Sequence, residues 1–521
     1  MVKKQGFTLV ELLAVIVVLG IILVIAVPNI QQIITNARKE AYERQKEFIA
    51  DAAKKYVASN IESVTFDEAN RAEVTLAVLQ ENGLLPNPLK DSRGNTFDSN
   101  KTIVIILGKD NKYSYQVSVE SDLYDSNKEV NKPLLVKGMT PIKWNGSAWI
   151  DTTENDSDWY SYTTTDKKWA NARTAEGSMW VWIPAYAYQI ATNYHTSTAG
   201  TINIKFLKGL TKTASDGTTV GVVPTYSGSS QTNFIEHPGF RFGSDRVAGI
   251  WVAKFEATAS EGLANSSAGD DVTTKTVRIL PNVQSWRYIS IGNAFQVSRN
   301  METNSVYGWG TSGSGIDTHL MKNSEWGAVA YLSKSPYGKE TEEIWINPAD
   351  NYTTGCAGDS VSWAETSGCL RTYNTTNGQK ASTTGNIYGI YDMSGGAWER
   401  VSAYVNNAHT NLTTYGLQII SADSKYKDIY AMGATDTEAN NYALTVNFKG
   451  DAVWETSSNI NGSFSWFDDY SYMPKTSGPW FKRGGDYSNG SSAGAFNFIS
   501  TSGYPDSNHG FRPVVVIGTG L

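Results

Sequence analysis

Two carboxylates flank a glycine-rich turn in the C-terminal half of the chain. Asp392 and Glu399 stand on either side of the sequence Ser-Gly-Gly-Ala at 394–397. Carboxylate and carbonyl oxygens are the hard ligands that Ca²⁺ prefers, so the spacing is compatible with a structural calcium site. The alternative is a plain structural turn in which backbone amides satisfy both carboxylates. The residues alone leave these two interpretations open.

A third carboxylate, Glu11, interrupts a near-continuous apolar run from Phe7 to Val27. At about 1.5 Å per helical residue, this run is long enough to cross a bilayer core of about 30 Å. A charge at that depth costs about 2.5–3.5 kcal/mol on insertion scales, so Glu11 is expected to have a partner or a function that a plain anchor would not need. The basic residues before the run place the N-terminus in the cytoplasm and everything after Pro28 outside the cell.

The soft metal ligands are few. The five histidines are scattered and form no i, i+4 or His-x-Glu pattern, which gives no support to a zinc site. The two cysteines, Cys356 and Cys369, are even in number, and outside the cell such a pair favours a structural disulfide over reactive thiols. If they pair, the short loop that they close stabilises the fold by about 2–3 kcal/mol.

Composition is typical of an exported protein built from sheets and loops. Charged residues make up 18% of the chain, below the roughly 25% of soluble domains, and the 46 glycines and 28 tyrosines indicate many turns and aromatic surfaces. A length of 521 residues predicts two or three domains. A net charge of −7 without a basic stripe argues against a nucleic-acid partner.

The elements that must position these residues begin with a helix. Apolar residues recur after Pro28 at helical spacing, with charged residues on the opposite face; they are Ile30, Ile33, Ile34, Ala37, Ala41, Phe48, Ile49, Ala52 and Tyr56. This stripe is predicted to pack on a small antiparallel sheet formed by 103–107 and 113–119 and joined by a turn at 108–111. Residues 7–125 would then form a unit of one long helix and a small sheet.

The rest of the chain has the signature of short strands in long loops. We predict a spacer of short strands over 126–175, with an Asn-Gly hairpin between Trp144 and Trp149. The region 176–521 is predicted to be loop-rich, with a sustained helix only around 320–332. The fold class is therefore α+β.

The N-terminal sequence KKQGFTLVELLAVIVVLGIILVIAVP resembles the class III signal of type IV pilins and pseudopilins. This resemblance implies that a prepilin peptidase removes the leader 1–6 by cutting after Gly6, and that Phe7 is then N-methylated. It also implies that Glu11 pairs with the terminal amine of a neighbouring pilin subunit during filament assembly. The expected precursor crosses the cytoplasmic membrane once, and the mature subunit becomes part of an extracellular pilus.

A second resemblance covers 176–521. Motifs in this region are similar, in the same order, to the helix, core and terminal motifs of the formylglycine-generating, sulfatase-modifying family; they are Met321–Tyr331, Asn386–Glu399, Arg483–Asp486 and Gly510–Val514. The resemblance implies a C-type-lectin-like fold. It also implies a calcium site at Asp392, Gly395, Ala397 and Glu399, through two side chains and two backbone carbonyls. The chain departs from the family at Gly396 and Arg400, where asparagine and tryptophan are usual.

The residues do not fit the copper chemistry of that family. Its catalytic members bind copper(I) through two cysteine thiolates that follow the Arg-Gly-Gly motif. The matching positions in this chain are Asn489 and Gly494, and neither supplies a thiolate. We therefore expect no copper and no oxidase activity.

Between the two C-terminal motifs, 486–509 is rich in Tyr, Ser, Gly and Asn, the residues that adaptable binding surfaces favour. It resembles the variable region of lectin-fold proteins that diversity-generating retroelements target, although a fixed loop of the same composition remains the alternative. We expect an exposed ligand-binding loop rather than a core strand. The predicted ligand-binding residues are Asp486, Tyr487, Asn489, Ser491, Phe496, Asn497, Phe498, Tyr504, Asp506, Asn508 and His509.

These features together predict a pilin-like subunit, minor or at the tip, that displays a non-catalytic adhesin domain for an unidentified surface ligand, protein or glycan. A domain of this size would crowd the shaft of a filament. Two alternatives remain at this point. The domain could be a surface-displayed enzyme of the formylglycine-generating type, or the chain could be a structural pseudopilin of a secretion or DNA-uptake system.

Overall fold

The computed structural model describes residues 37, 40–66, 71–91, 94–100, 102–109, 112–264, 266–309, 315–358 and 368–518. The chain divides into two compact units, with the boundary between Glu120 and Ser121. Helices and mostly antiparallel sheets occur together, which is consistent with the predicted α+β class. Gly6, Phe7 and Glu11 lie outside the described residues.

The first unit contains the described part of the predicted helix, packed on its small sheet, while Ile30, Ile33 and Ile34 of the predicted stripe lie outside the described residues. Its elements are α1 (40–60), β1 (Arg71–Thr75), α2 (Leu76–Glu81), β2 (Thr102–Lys109) and β3 (Lys112–Val119). The strands form an antiparallel sheet in the order β1-β2-β3, and the predicted hairpin is confirmed, with Lys109 opposite Lys112.

The apolar stripe of α1 forms the core of this unit. Ile49 and Ala53 are fully buried against Val104 and Ile106 of β2. Phe48, which the spacing placed on the same stripe, is 53% exposed, so that assignment was wrong. No helix among the described ranges is long and apolar enough to span a membrane. The apolar run Phe7 to Val27 falls outside those ranges.

The second unit is strand-rich. After α3 (Glu120–Leu123), which crosses the boundary, its strands are β4 (Tyr124–Asp125), β5 (Val130–Asn131), β6 (Thr140–Trp144), β7 (Trp149–Asp151), β8 (Asn171–Arg173), β9 (Met179–Pro184), β10 (Tyr186–Ile190), β11 (Ile202–Phe206), β12 (Tyr226–Ser227), β13 (Ser230–Gln231), β14 (Ile235–Glu236), β15 (Arg241–Phe242), β16 (Asp245–Arg246), β17 (Gly249–Ala253), β18 (Thr258–Ala259), β19 (Val277–Arg278), β20 (Ile316–Leu320), β21 (Trp398–Asn406), β22 (Asp428–Ala431), β23 (Trp480–Gly484), β24 (Gly494–Thr501), β25 (His509–Phe511) and β26 (Pro513–Ile517). Its further helices are α4 (Ser267–Asp270), α5 (Ile291–Asn300), α6 (Asn323–Ser333), α7 (Thr410–Ser421) and α8 (Glu438–Leu444).

The largest sheet corrects the predicted domain boundary. Its strands lie in the order β20-β26-β17-β9-β8-β6-β7, so β8, from the region 126–175, is hydrogen-bonded to β9, and both belong to one sheet with the C-terminal strand β26. The region 126–175 is therefore part of the second unit and not a separate spacer. The predicted hairpin within it is confirmed, with Trp144 opposite Trp149.

A second sheet carries the candidate site. It contains β22-β21-β23-β24, and β25 pairs with β21 on the free part of that strand. β21 runs antiparallel to β23 and parallel to β25. Residues from three distant parts of the chain are thereby brought side by side.

The helix prediction was only partly right. The helix α6 confirms the one around 320–332, whereas α5, α7 and α8 were missed. Polar residues occupy much of their length, and the helices begin at side-chain caps; Ser290, for example, accepts from the backbone N–H of Asn293 at the start of α5. In α7 the helix kinks at Gly416, where a Cβ would lie 2.1 Å from the Trp480 ring. In α5 the buried residues Ile291, Ala294 and Phe295 do recur at helical spacing, but the polar residues between them weaken the pattern.

The disulfide prediction is confirmed. Cys356 and Cys369 are bonded, with their Cα atoms 5.6 Å apart. The bond closes a short loop of the second unit. Both sulfur atoms are engaged in this bond.

Candidate ligand-binding site

Strand β21 presents adjacent residues to opposite faces of the second sheet, because side chains alternate along a strand. Trp398 and Arg400 lie on one face, and Glu399 between them lies on the other. The two faces differ in how their buried charges are compensated.

On the Glu399 face the charges are paired. The Arg512 guanidinium donates to both carboxylate oxygens of Glu399, at 2.6 and 2.9 Å, and both side chains are buried. Arg512 also donates to the backbone carbonyls of Ala253 at 2.6 Å and Tyr391 at 2.8 Å. Burial opposes the charged form of Arg512, but the Glu399 carboxylate outweighs this and raises the pKa of the guanidinium. Burial raises the pKa of the Glu399 carboxyl to about 7, and Arg512 opposes that rise.

The second carboxylate of the predicted calcium site is also bonded within the chain. Asp392 accepts from the Asn347 side chain at 2.9 Å and from the backbone N–H of Gly355 at 2.9 and 3.0 Å. The backbone N–H of Ala397 donates to Glu256 at 2.8 Å rather than to either candidate ligand. Burial raises the pKa of Asp392.

These contacts favour the structural turn over a calcium ion. The oxygens that would bind Ca²⁺ already accept from a guanidinium, an amide side chain and backbone N–H groups. Over the described ranges, no group of three or more His, Cys, Asp or Glu residues could hold a metal ion. Calcium at Asp392, Gly395, Ala397 and Glu399 stays a prediction that the residues, as arranged, fit poorly.

On the opposite face, basic side chains from three strands meet. Arg400 of β21 is the direct cross-strand partner of Lys482 of β23, and Trp398 is the partner of His509 of β25. The Lys482 ammonium lies 2.8 Å from the His509 Nε2 atom and 4.3 Å from the centre of the Trp398 ring. We refer to Arg400, Lys482 and His509 as the cationic cluster.

Within the cationic cluster, Arg400 and His509 are buried and Lys482 is half-buried, and the cluster is only partly hydrogen-bonded. Arg400 is fully buried, and its Nη2 donates to the backbone carbonyl of Tyr504. Its Nε and Nη1 atoms, and the Nδ1 atom of His509, are buried without a hydrogen-bond partner. Within the described part of the chain, no carboxylate lies within ion-pair distance of Arg400 or Lys482. This face therefore differs from the Glu399 face, where the buried cation has its anion.

Burial lowers the pKa values of all three cluster residues, and neighbouring positive charges contribute to this at Lys482 and His509. Burial, reinforced by Arg400, lowers the pKa of Lys482 to about 8, while Asp486 and Asp506 act in the opposite direction. Burial and the two neighbouring cations hold the pKa of His509 well below its usual range, so the imidazole is neutral. A neutral His509 that accepts from Lys482 at Nε2 carries its proton on Nδ1, the unpartnered atom. Burial lowers the pKa of Arg400 to about 10, which leaves it charged at neutral pH.

Three of the predicted ligand-binding residues belong to the core. Phe496, Asn497 and Phe498 are fully buried within β24, and Phe498 pairs with Arg483 of β23. The Phe496 ring lies 5.4 Å from the Trp466 ring. The prediction of an exposed loop was wrong for this segment, because β24 is covered on both of its faces.

Asp486 and His509 are also buried, each 5% exposed. The Asp486 carboxylate accepts from Ser488 at 2.7 Å and from the Asn508 side chain at 2.8 Å, and so ties the two ends of the segment together. The role of Asp486 is therefore positional, whereas His509 belongs to the cationic cluster.

The remaining predicted residues reach the surface. Tyr504 is 46% exposed, and Ser491 is exposed. The others are half-buried, including Tyr487, whose ring lies edge-on to Tyr352. We name this set the recognition rim; it consists of Tyr487, Asn489, Ser491, Tyr504, Asp506 and Asn508.

Sequence reasoning missed Arg400 and Lys482 as site residues. The available signal was Arg400 itself, an arginine where the resembled family usually has tryptophan. No sequence pattern pointed to Lys482, because its proximity to Arg400 depends on the pairing of β21 with β23.

The positions that match the copper-binding cysteines have other roles. The Asn489 side-chain oxygen accepts from the backbone N–H of Asp486 at 2.8 Å. A Cβ at Gly494 would lie 2.2 Å from a carboxylate oxygen of Asp469, so this position has no room for a side chain. The residues do not fit a copper ion here.

Comparisons with known proteins bear mainly on the N-terminus. Residues 1–27 match the family described as the prokaryotic N-terminal methylation motif. The motif supports a type IV pilin-like or pseudopilin precursor, anchored in the membrane, processed by prepilin peptidase and assembled with other pilins. The search of curated proteins gives no match. Among solved structures, Treponema denticola variable protein 1 matches at 12% identity with a TM-score of 0.23, over 57% of this chain and 91% of that chain.

Proposed function

We propose that the chain is a pilin-like subunit, minor or at the tip, that displays a non-catalytic ligand-binding domain on a type IV pilus. The observation that carries this proposal is the combination of an N-terminal methylation motif with a large second unit whose recognition rim is surface-accessible. The first unit, a helix packed on a small antiparallel sheet, supplies the pilin-like part. The second unit is then the displayed domain, of the C-type-lectin-like kind that its motifs resemble.

The geometry at Asn489 and Gly494 favours binding over catalysis. Neither residue has a thiolate, and the Asp469 carboxylate lies against Gly494. The disulfide occupies both cysteines. The chain therefore has no free thiol with which it could bind copper as an oxidase of the formylglycine-generating type does.

The composition of the rim supports ligand recognition. Tyrosines give a large contact area with little conformational freedom to lose, and Asn and Ser give adaptable hydrogen bonds. If the segment is diversified by a retroelement, the gene region will be accompanied by a reverse transcriptase and a template repeat that matches codons 480–515. The absence of such a repeat would make the rim a fixed surface.

The pilin part is tested by its processing. Intact-mass and N-terminal peptide analysis of pili should show that the mature chain begins at a methylated Phe7 and retains the apolar run. Glu11→Val should insert normally into the membrane, because it removes a costly charge, but it should be incorporated poorly into filaments. Retention of Met1, cleavage near Pro28, or normal incorporation of the variant would contradict the proposal.

A further inference from the structure

The cationic cluster has a like-charge arrangement that no ion pair among the described residues balances. Arg400 and Lys482 are directly opposed on paired strands, where opposite side chains lie about 5 Å apart and like charges destabilise the sheet. Each carries its charge at neutral pH, and both are largely removed from water.

The nearby carboxylates bond to other groups. Asp506 accepts from the backbone N–H of Ser507 at 2.7 Å, and Asp486 accepts from Ser488 and Asn508. Asp271, which also acts on Arg400 from a distance, accepts from Ser290 and Asn293. These carboxylates moderate the potential at the cluster, but none forms an ion pair with it.

Buried water does not explain the arrangement. A water molecule could accept from the free donors of Arg400 and His509, but it could not neutralise two opposed cations. Removing one partner from a buried ion pair costs several kcal/mol, which is why buried charges in stable folds are normally paired. The cluster therefore has the electrostatics of a receptor site whose anion comes from outside the chain.

The position of the cluster connects it with the recognition rim. The backbone carbonyl of Tyr504 accepts from Arg400, and Asn508 directly precedes His509. Lys482 is only half-buried and is the member of the cluster closest to solvent.

We propose that Arg400, Lys482 and His509 bind an oxyanion group, carboxylate or sulfate, carried by the ligand that the recognition rim contacts. This inference rests on the proposed function and adds the chemical class of the ligand. Charge-assisted hydrogen bonds from arginine and lysine are the strong ones for such groups. The chain has a net charge of −7, so it would repel polyanions as a whole. Binding of an oxyanion would therefore reflect the cluster and not a general attraction.

The test uses the full chain in a neutral detergent and three immobilised polymers: carboxylated dextran, dextran sulfate and uncharged dextran. We expect the protein to be retained on one or both anionic polymers and not on uncharged dextran. The anionic polymer that binds more tightly identifies the oxyanion as carboxylate or sulfate. Lys482→Gln should weaken binding about tenfold or more, as loss of a charged hydrogen bond predicts. Lys137→Gln, at an exposed lysine outside the cluster, is the matched control and should bind like the wild type.

Arg400→Gln provides a second variant, with thermal unfolding to verify that it is folded. A folded Arg400→Gln variant that binds as well as the wild type would overturn the inference. Failure of the wild-type protein to bind either anionic polymer would also overturn it. If piliated cells still attach through Tyr487 and Tyr504 while Lys482→Gln has no effect, the inference fails and the proposed function stands. If neither the tyrosines nor Lys482 matter for attachment, the proposed function fails as well.

Discussion

The two faces of β21 place neighbouring residues in opposite electrostatic situations. Glu399 and Arg400 are adjacent in sequence and fully buried, yet Glu399 has both oxygens bonded to Arg512, whereas Arg400 has two nitrogen donors unpartnered and a lysine opposite it. Burial alone therefore does not distinguish a structural charge from a functional one. Under the proposal made above, the distinguishing property is whether the compensating charge comes from the same chain.

A matched pair of substitutions, one on each face, tests this contrast. The larger effect on stability is expected on the Glu399 face. Arg512→Met should lower the free energy of unfolding by about 3–5 kcal/mol, because it leaves the Glu399 carboxylate buried without its cation. Urea unfolding of the full chain in detergent, followed by tryptophan fluorescence, measures this change. A loss below about 1 kcal/mol would mean that the Glu399 face does not depend on the pair.

On the other face, the same substitution should have the opposite sign. Arg400→Met removes an uncompensated buried cation and relieves its repulsion with Lys482, so it should raise the free energy of unfolding by about 1–2 kcal/mol. The same urea titration measures it. Destabilisation comparable to that of Arg512→Met would show that Arg400 is a structural residue and would remove the contrast between the faces.

A smaller effect follows from the pKa of Lys482. Because this pKa falls from 10.5 to about 8 on folding, the unfolded chain binds more protons at this side chain between pH 8 and 10.5. The charged Lys482 side chain should therefore lower the free energy of unfolding in full below pH 8. This destabilisation should disappear as the pH rises to 10.5. The charged and titratable groups that act on Lys482 are Arg400, His509, Asp486 and Asp506.

The measurement is the stability difference between Lys482→Met and the wild type. We expect the variant to be more stable by about 1 kcal/mol at pH 7.5, a value reduced for partial solvent screening, and to lose that advantage at pH 10.5. If this stability difference does not vary with pH, the charge of Lys482 does not destabilise the folded state.

The smallest effect is expected from calcium. Since Arg512 and backbone N–H groups already occupy the carboxylate oxygens at the turn, addition of EGTA or of excess Ca²⁺ should leave the melting temperature of the chain unchanged. A calcium-dependent rise that Asp392→Ala abolishes would contradict this expectation, because a ligand that binds the folded state stabilises it by mass action.

Sequence patterns predicted what is local. The hairpin between β2 and β3, the helix α6, the hairpin between Trp144 and Trp149 and the Cys356–Cys369 bond all join residues that are close in sequence. Periodicity and turn chemistry are sufficient for such features. Composition and the family resemblance, by contrast, indicated the whole segment 486–509 and did not separate the recognition rim from the buried strand β24.

Non-local pairing accounts for what the sequence did not predict. Arg512 reaches Glu399 across 113 positions of sequence, and the cationic cluster exists only because three separate strands come together at β21. Phe496 and Phe498 lie among glycine and serine residues that are typical of loops, but both faces of their strand are covered by the fold. Non-local pairing also placed β6, β7 and β8 in one sheet with the C-terminal strand β26.

The central claim is that the recognition rim is the ligand-contacting surface of a pilus-displayed domain. Its most direct test is the attachment of piliated cells that carry the Tyr487→Ala, Tyr504→Ala double variant, with Tyr226→Ala as a control at a tyrosine of comparable exposure, 40% against 46% for Tyr504. Central aromatic contacts typically contribute about 2 kcal/mol or more each, so attachment affinity should fall at least about thirtyfold while thermal unfolding stays unchanged. Attachment equal to that of the wild type by a normally folded double variant, or equal losses in the Tyr226→Ala control, would contradict the claim.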